Sequence, residues 1–138
     1  MTPNTVALLL GLVLPVLVGV FGTVVGLDRD RAYYPTITVV VASYYCLFGA
    51  MGAPTETVLL EVLAAAPFVV AAAVGFRKSL WIVVVALAAH GILDVGHDAV
   101  IANPGVPPWW PAFCGAFDVV AAVYLAGLIK SGRTRVSP

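Results

Sequence analysis

The sequence predicts an all-α fold: an integral membrane bundle of five transmembrane helices in a single domain, 1–138, with the N-terminus outside and the C-terminus cytoplasmic. Three observations predict it. Hydrophobic residues make up 62% of the 138 residues and charged residues only 10%, against roughly 25% charged in a soluble domain. The mean hydropathy is +1.05. Seven Lys+Arg and seven Asp+Glu cannot coat a globular surface, so the bilayer must be the solvent for most of the exterior. Apolar runs of the roughly 20 residues needed to span recur along the chain, separated by short breaks. Finally, every Lys and Arg falls in alternate breaks.

The first predicted span, 5–27, ends at Asp28-Arg29-Asp30-Arg31, which cannot enter hydrocarbon cheaply. It has no Lys or Arg before it and is longer than the roughly 7–15 apolar residues of a signal peptide, so it reads as a mature helix. The second span, 34–52, stops at Ala53-Pro54, and the third, 55–76, at Arg77-Lys78. The fourth, 79–102, is broken by Asn103-Pro104-Gly105-Val106-Pro107-Pro108, where proline cannot continue a helix. The fifth, 109–129, meets Lys130, Arg133 and Arg135. Loops this short predict that consecutive helices are antiparallel neighbours.

With five spans, the breaks holding Arg29, Arg31, Arg77 and Lys78 share a side with Lys130, Arg133 and Arg135. The positive-inside rule puts that side in the cytoplasm and the protein in the cell membrane, plasma or inner. Trp109 and Trp110 then read as outer-interface anchors, and Tyr33, Tyr34 and Trp81 as inner ones. A formal charge of zero without a basic stripe argues against nucleic acid as a partner. Cys46 and Cys114 sit within apolar segments in no CxxC pattern. They read as buried free thiols, with an interhelical disulfide or a metal thiolate as the lesser alternatives.

Helix 1 carries a stripe. Gly11, Pro15, Gly19, Gly22 and Gly26 fall within about 80° of one face, at roughly 100° per residue. Gly22 and Gly26 form a GxxxG pair, a pattern that lets helix backbones approach closely. The stripe suits packing inside the bundle first and a homo-oligomer contact second.

The chemistry lies in helix 4, which reads His90-Gly91-Ile92-Leu93-Asp94-Val95-Gly96-His97-Asp98. On a helical wheel His90, Asp94, His97 and Asp98 share an arc of about 100°. Glu61 of helix 3 and Asp118 of helix 5 enter from the same side, roughly 9 and 14 Å deep. All six can meet in the outer half of the membrane, while Glu56 stays at the rim. Each buried Asp costs roughly 2.5–3.5 kcal/mol on insertion scales, so these groups should face one another, and such residues are functional candidates by default. The alternative is a hydrogen-bonded polar core that only fixes helix packing.

Three functions compete. His90 and Asp94 (i, i+4), and Asp94 and His97 (i, i+3), can each chelate one ion from one helix face, with Asp118 and Glu61 completing the shell. Imidazole with carboxylate suits Zn, Fe or Mn. Without a metal, a His beside crowded carboxylates can move protons to and from a substrate. Either way the predicted protein is an enzyme whose catalytic groups are His90, Asp94, His97, Asp98, Asp118 and Glu61. Its partners would be membrane lipid and a lipophilic small molecule entering from the bilayer, for isomerisation, cyclisation, hydration or hydrolysis. Third, chains of Asp, Glu and His mark proton relays in transporters. Below His90, however, the same face offers only Leu87, Val83 and Ala86. Ser43, Tyr44, Tyr45 and Cys46 of helix 2 are further polar residues near the site, and Thr57 can bond to Glu61.

The block His90 to Asp98, with Pro107-Pro108-Trp109-Trp110-Pro111-Ala112-Phe113-Cys114-Gly115-Ala116-Phe117-Asp118, resembles a family of small uncharacterised bacterial and fungal membrane proteins. The resemblance covers about a third of the chain and implies a membrane location and no particular activity. In architecture alone the chain is also similar to emopamil-binding-protein-like sterol isomerases, an analogy of fold.

Overall fold

The computed structural model describes residues 1–134; Arg135, counted above among the basic residues, lies outside them. The described residues form five helices: α1 (Pro3–Val25), α2 (Tyr33–Gly52), α3 (Thr55–Arg77), α4 (Leu80–Val100) and α5 (Trp110–Lys130). Each is long and apolar enough to cross a membrane. Their ends fall within two residues of those predicted, because caps and breakers set them. Thr2 caps α1 by accepting from the Thr5 backbone N–H at 3.2 Å, and Gly26 ends it in the left-handed region at φ 89°. A 3₁₀ turn, Leu27–Arg29, follows. Ser79 caps α4.

The burial pattern inverts that of a soluble protein. Val95 is 85% exposed while its neighbour Asp94 is 1% exposed. Leucines and valines cover the outside of α1, as hydrocarbon contact requires, and the polar groups turn inward.

α5 is the hub. It packs between α1 and α4, α3 packs on α4, and α2 lies on α3 and closes back toward α4 and α5. This corrects one expectation. α1 and α2 are consecutive but, apart from Tyr33, do not pack along their lengths. The glycine stripe explains it. Gly11 lies so close to α5 that a Cβ there would sit 2.3 Å from the Phe113 carbonyl oxygen, and Gly19 lies under the Tyr124 ring. Gly22 is covered by Tyr33. The stripe is thus filled within one chain, and a contact between copies through it would have to displace α5. Short loops constrain distance, but here the small-residue face chose the neighbour.

Two expected interface anchors are also core residues. Trp110 is buried against Tyr44 and Phe48, each with ring centroids 4.9 Å away. Tyr34 is likewise buried, whereas Trp81 and Trp109 keep exposed faces. At the other end of the bundle, Arg31 donates from Nε to the Phe76 carbonyl (2.9 Å) and from a terminal nitrogen to that of Gly75 (3.1 Å). This ties the α1–α2 turn to the end of α3. Thr23 donates to the buried Asp28 at 2.5 Å.

Gly11→Ala forces α1 off α5 and is expected to destabilise the protein by about 1–3 kcal/mol. Gly127→Ala, where an added Cβ meets nothing within 4 Å, is expected to be neutral or slightly stabilising. Thermal unfolding in detergent compares the two, and equal melting temperatures would refute the close packing.

Candidate metal centre

The site begins with one face of α4. His90, Asp94 and His97 recur at helical spacing and are all buried. Hydrocarbon gives such groups no partner, so the neighbouring helices must. Gly91 and Gly115 let α5 approach: a Cβ on Gly91 would lie 2.9 Å from the Gly115 carbonyl oxygen, and one on Gly115 would lie 3.1 Å from that of Gly91. At this crossing Cys114 and Asp118 of α5 are brought against His90 and Asp94 of α4.

Nδ1 of His90 is hydrogen-bonded to Oδ2 of Asp118 at 2.6 Å and lies 3.6 Å from Oδ2 of Asp94. The Phe68 ring stands edge-on to the imidazole with centroids 4.8 Å apart, walling the site with apolar surface. His90, Asp94, Cys114 and Asp118 each offer one metal-ligating atom, and these atoms lie within 4.8 Å of one another. Both oxygens of Asp94 and Oδ1 of Asp118 are buried with no hydrogen-bond partner among the described residues. So is the hydroxyl of Tyr45, which faces Asp94. Unsatisfied buried polar atoms are costly, and two of these belong to one carboxylate, Asp94.

This group can hold a divalent cation. A zinc ion bonded at roughly 2.0–2.3 Å separates its tetrahedral ligands by roughly 3.3–3.8 Å, so a pair at the 4.8 Å limit would have to close by about 1–1.5 Å. Nδ1 and Oδ2, hydrogen-bonded at 2.6 Å, would have to part for both to bind it. One imidazole, one thiol and two carboxylates form a mixed hard and soft set that suits Zn or Fe.

The second pair is separate. Nε2 of His97 is hydrogen-bonded to Oε2 of Glu61 at 3.0 Å. Asn103, in the α4–α5 loop, donates to Oε1 of Glu61 at 2.8 Å and to the Tyr45 carbonyl at 3.2 Å, and accepts from the Gly105 backbone N–H at 3.0 Å. Tyr45 stacks on His97 with centroids 3.8 Å and planes 13° apart, and lies 6.3 Å from His90. Its ring is thus close to both histidines and stacked on one of them.

The six predicted residues thus divide. His90, Asp94 and Asp118 come together, and so do Glu61 and His97. Asp98 joins neither: its side chain is 77% exposed and 3.8 Å from Nδ1 of His97, beyond hydrogen-bond length. It occupied the edge of the predicted arc, and the bundle turns that edge outward. His97, expected among the metal ligands, is hydrogen-bonded to Glu61 instead, and Cys114 joins the other three. Both cysteines are free thiols. Asn103 read as a loop breaker; its signal was an amide three residues beyond the end of α4. No bond from Thr57 to Glu61 occurs among the described residues.

No protein-family model, curated protein or solved structure matches the chain.

Asn103→Ala leaves Oε1 of Glu61 buried without its donor and is expected to cost about 1–3 kcal/mol. Asn103→Asp sets a second carboxylate against Glu61 and should lower the melting temperature further. A melting curve unchanged in both variants would mean that the loop does not anchor the second pair.

Proposed function

We propose that this is a multi-pass protein of the cell membrane, N-terminus outside, in which His90, Asp94, Cys114 and Asp118 hold a divalent metal ion and act on a lipophilic substrate. One observation carries the metal reading: four ligating side chains within 4.8 Å, buried inside a membrane span, with both Asp94 oxygens lacking a hydrogen-bond partner. The orientation rests on the described basic residues, which fall at the α1–α2 and α3–α4 turns and after α5.

A divalent ion there would supply Lewis-acid chemistry, polarising a substrate oxygen. The chain's own residues supply the rest. Asp118 holds the ring of His90 through Nδ1 at 2.6 Å, a hydrogen bond that ligation of both groups to one ion would replace. Tyr45 offers a hydroxyl toward Asp94 that can hold a proton for a bound substrate. Phe68 and the stacked Tyr45 ring exclude water. A second reading, acid–base chemistry without a metal, is favoured by His90 lying 2.6 Å from one carboxylate and 3.6 Å from another. Chemistry is favoured over conduction by the buried apolar layer of Val83, Leu87, Ala122 and Leu125 beneath His90.

Elemental analysis of the detergent-purified protein tests the assignment. About one divalent ion per chain is expected, reduced roughly tenfold or more in His90→Ala and Cys114→Ser and retained in His97→Ala. No metal in the wild type, or equal loss in all three variants, would sink the metal site. In liposomes the protein is expected to leave a proton gradient intact. A flux that disappears in Asp94→Asn would establish the transporter reading instead.

A further inference from the structure

One residue, Tyr45 of α2, touches both polar groups of the bundle. Its ring lies nearly flat on the imidazole of His97, with centroids 3.8 Å and planes 13° apart, and its centroid is 6.3 Å from that of His90. Its main-chain carbonyl accepts from the Asn103 amide nitrogen at 3.2 Å, and the same nitrogen donates to Glu61 at 2.8 Å. Nε2 of His97 is in turn hydrogen-bonded to Glu61 at 3.0 Å. The ring and the backbone of Tyr45 are therefore both held by the group of Glu61, His97 and Asn103.

The hydroxyl of Tyr45 is not part of that group. It is buried, faces Asp94, and has no hydrogen-bond partner among the described residues. Neither oxygen of Asp94 has one either. An ionised carboxylate only accepts, whereas a phenol O–H donates, so the two are matched in kind. Asp94 is also one of the four residues whose ligating atoms lie within 4.8 Å of one another. A carboxylate that binds an ion through one oxygen keeps the other for a hydrogen bond, and such bonds orient the ligand.

We infer that Tyr45 is a positioning residue for the metal centre: its hydroxyl donates to the Asp94 oxygen that the ion leaves free, and the group of Glu61, His97 and Asn103 holds the phenol in place. This role deepens the proposed function and rests on its metal reading. It also gives the second polar group a task. Fastening α3 to α4 requires Glu61 and His97, but it does not require an aromatic ring on the imidazole. A tyrosine side chain has two torsions, and the stack sets the plane of its ring. The position of the hydroxyl then follows from that of His97.

Co²⁺ alone is the probe, titrated into the metal-free, detergent-purified full chain and read by its visible absorption. Tyr45→Phe keeps the ring and its stack and removes the O–H. It is expected to raise the Kd for Co²⁺ about 10–100-fold. The melting temperature of the metal-free protein should stay the same or rise, since the hydroxyl has no hydrogen bond to lose there. His97→Ala removes the face on which the ring rests. It should raise the Kd in the same direction without emptying the site at saturating metal, and should add little in the Tyr45→Phe background. An equal Kd in wild type and Tyr45→Phe overturns the role of Tyr45 and leaves the metal reading standing. A Tyr45→Phe chain that melts lower without metal, or fails to fold, assigns the hydroxyl to packing and overturns it too. Fully additive effects of the two substitutions overturn the positioning through His97. Wild-type protein that takes up no Co²⁺ overturns the metal reading itself, and the role of Tyr45 with it.

Discussion

Hydrocarbon offers no hydrogen bonds, and α4 carries His90, Asp94 and His97 on one face. That face can exist in a bilayer only if other helices bring partners to it. α5 answers with Asp118 and Cys114, α3 with Glu61, and the α4–α5 loop with Asn103. The order of helices in the bundle follows from these demands: α4 must have α5 on one side and α3 on the other. α1 and α2 then take the remaining places, α1 against α5 through its glycines and α2 against α3. The polar groups are a small fraction of the chain, yet they fix the arrangement. Interhelical contacts between apolar surfaces alone do not have the hydrophobic driving force they would have in water.

The two polar groups differ in how completely they are satisfied. Glu61 has a partner for each oxygen, and its two donors come from α4 and the loop beyond it. That group reads as a fastening. Among the described residues neither oxygen of Asp94 has a hydrogen-bond partner. Such groups call for a partner, so of the two polar groups the cluster of His90, Asp94, Cys114 and Asp118 is the one that could hold an ion.

The five helices and their ends were legible in the sequence because hydropathy, prolines and charges act locally. The inward turn of Glu61, His90, Asp94, His97 and Asp118 was legible too, since lipid penalises any other direction. Contacts were not. A helical wheel gives an angle but not a neighbour, so it could not separate His97 from His90, nor see that the Tyr45 ring stacks on His97. It placed Asp98 within the polar arc, at an edge the packing turned outward. Cys114 read as a buried free thiol, because a thiol in an apolar run looks the same whether it packs or ligates. The pairing of α1 with α5 depended on close fit between Gly11 and the Phe113 carbonyl, a distance no composition reveals. The seeming adjacency of α1 and α2 came from loop length, which limits how far apart helices can be without choosing which faces meet.

The central place of α5 bears on how the protein is made. It is the fifth of the five helices to leave the ribosome, yet α1 and α4 both pack on it and the cluster takes two of its four residues from it. Until α5 is inserted, the glycine face of α1 has no helix to receive it, and His90 and Asp94 have lipid where their partners belong. The intermediate with four helices is therefore an exposed polar species inside the membrane, of the kind that insertion chaperones and membrane proteases survey. Among the described helices, α5 completes the packing and the candidate site together.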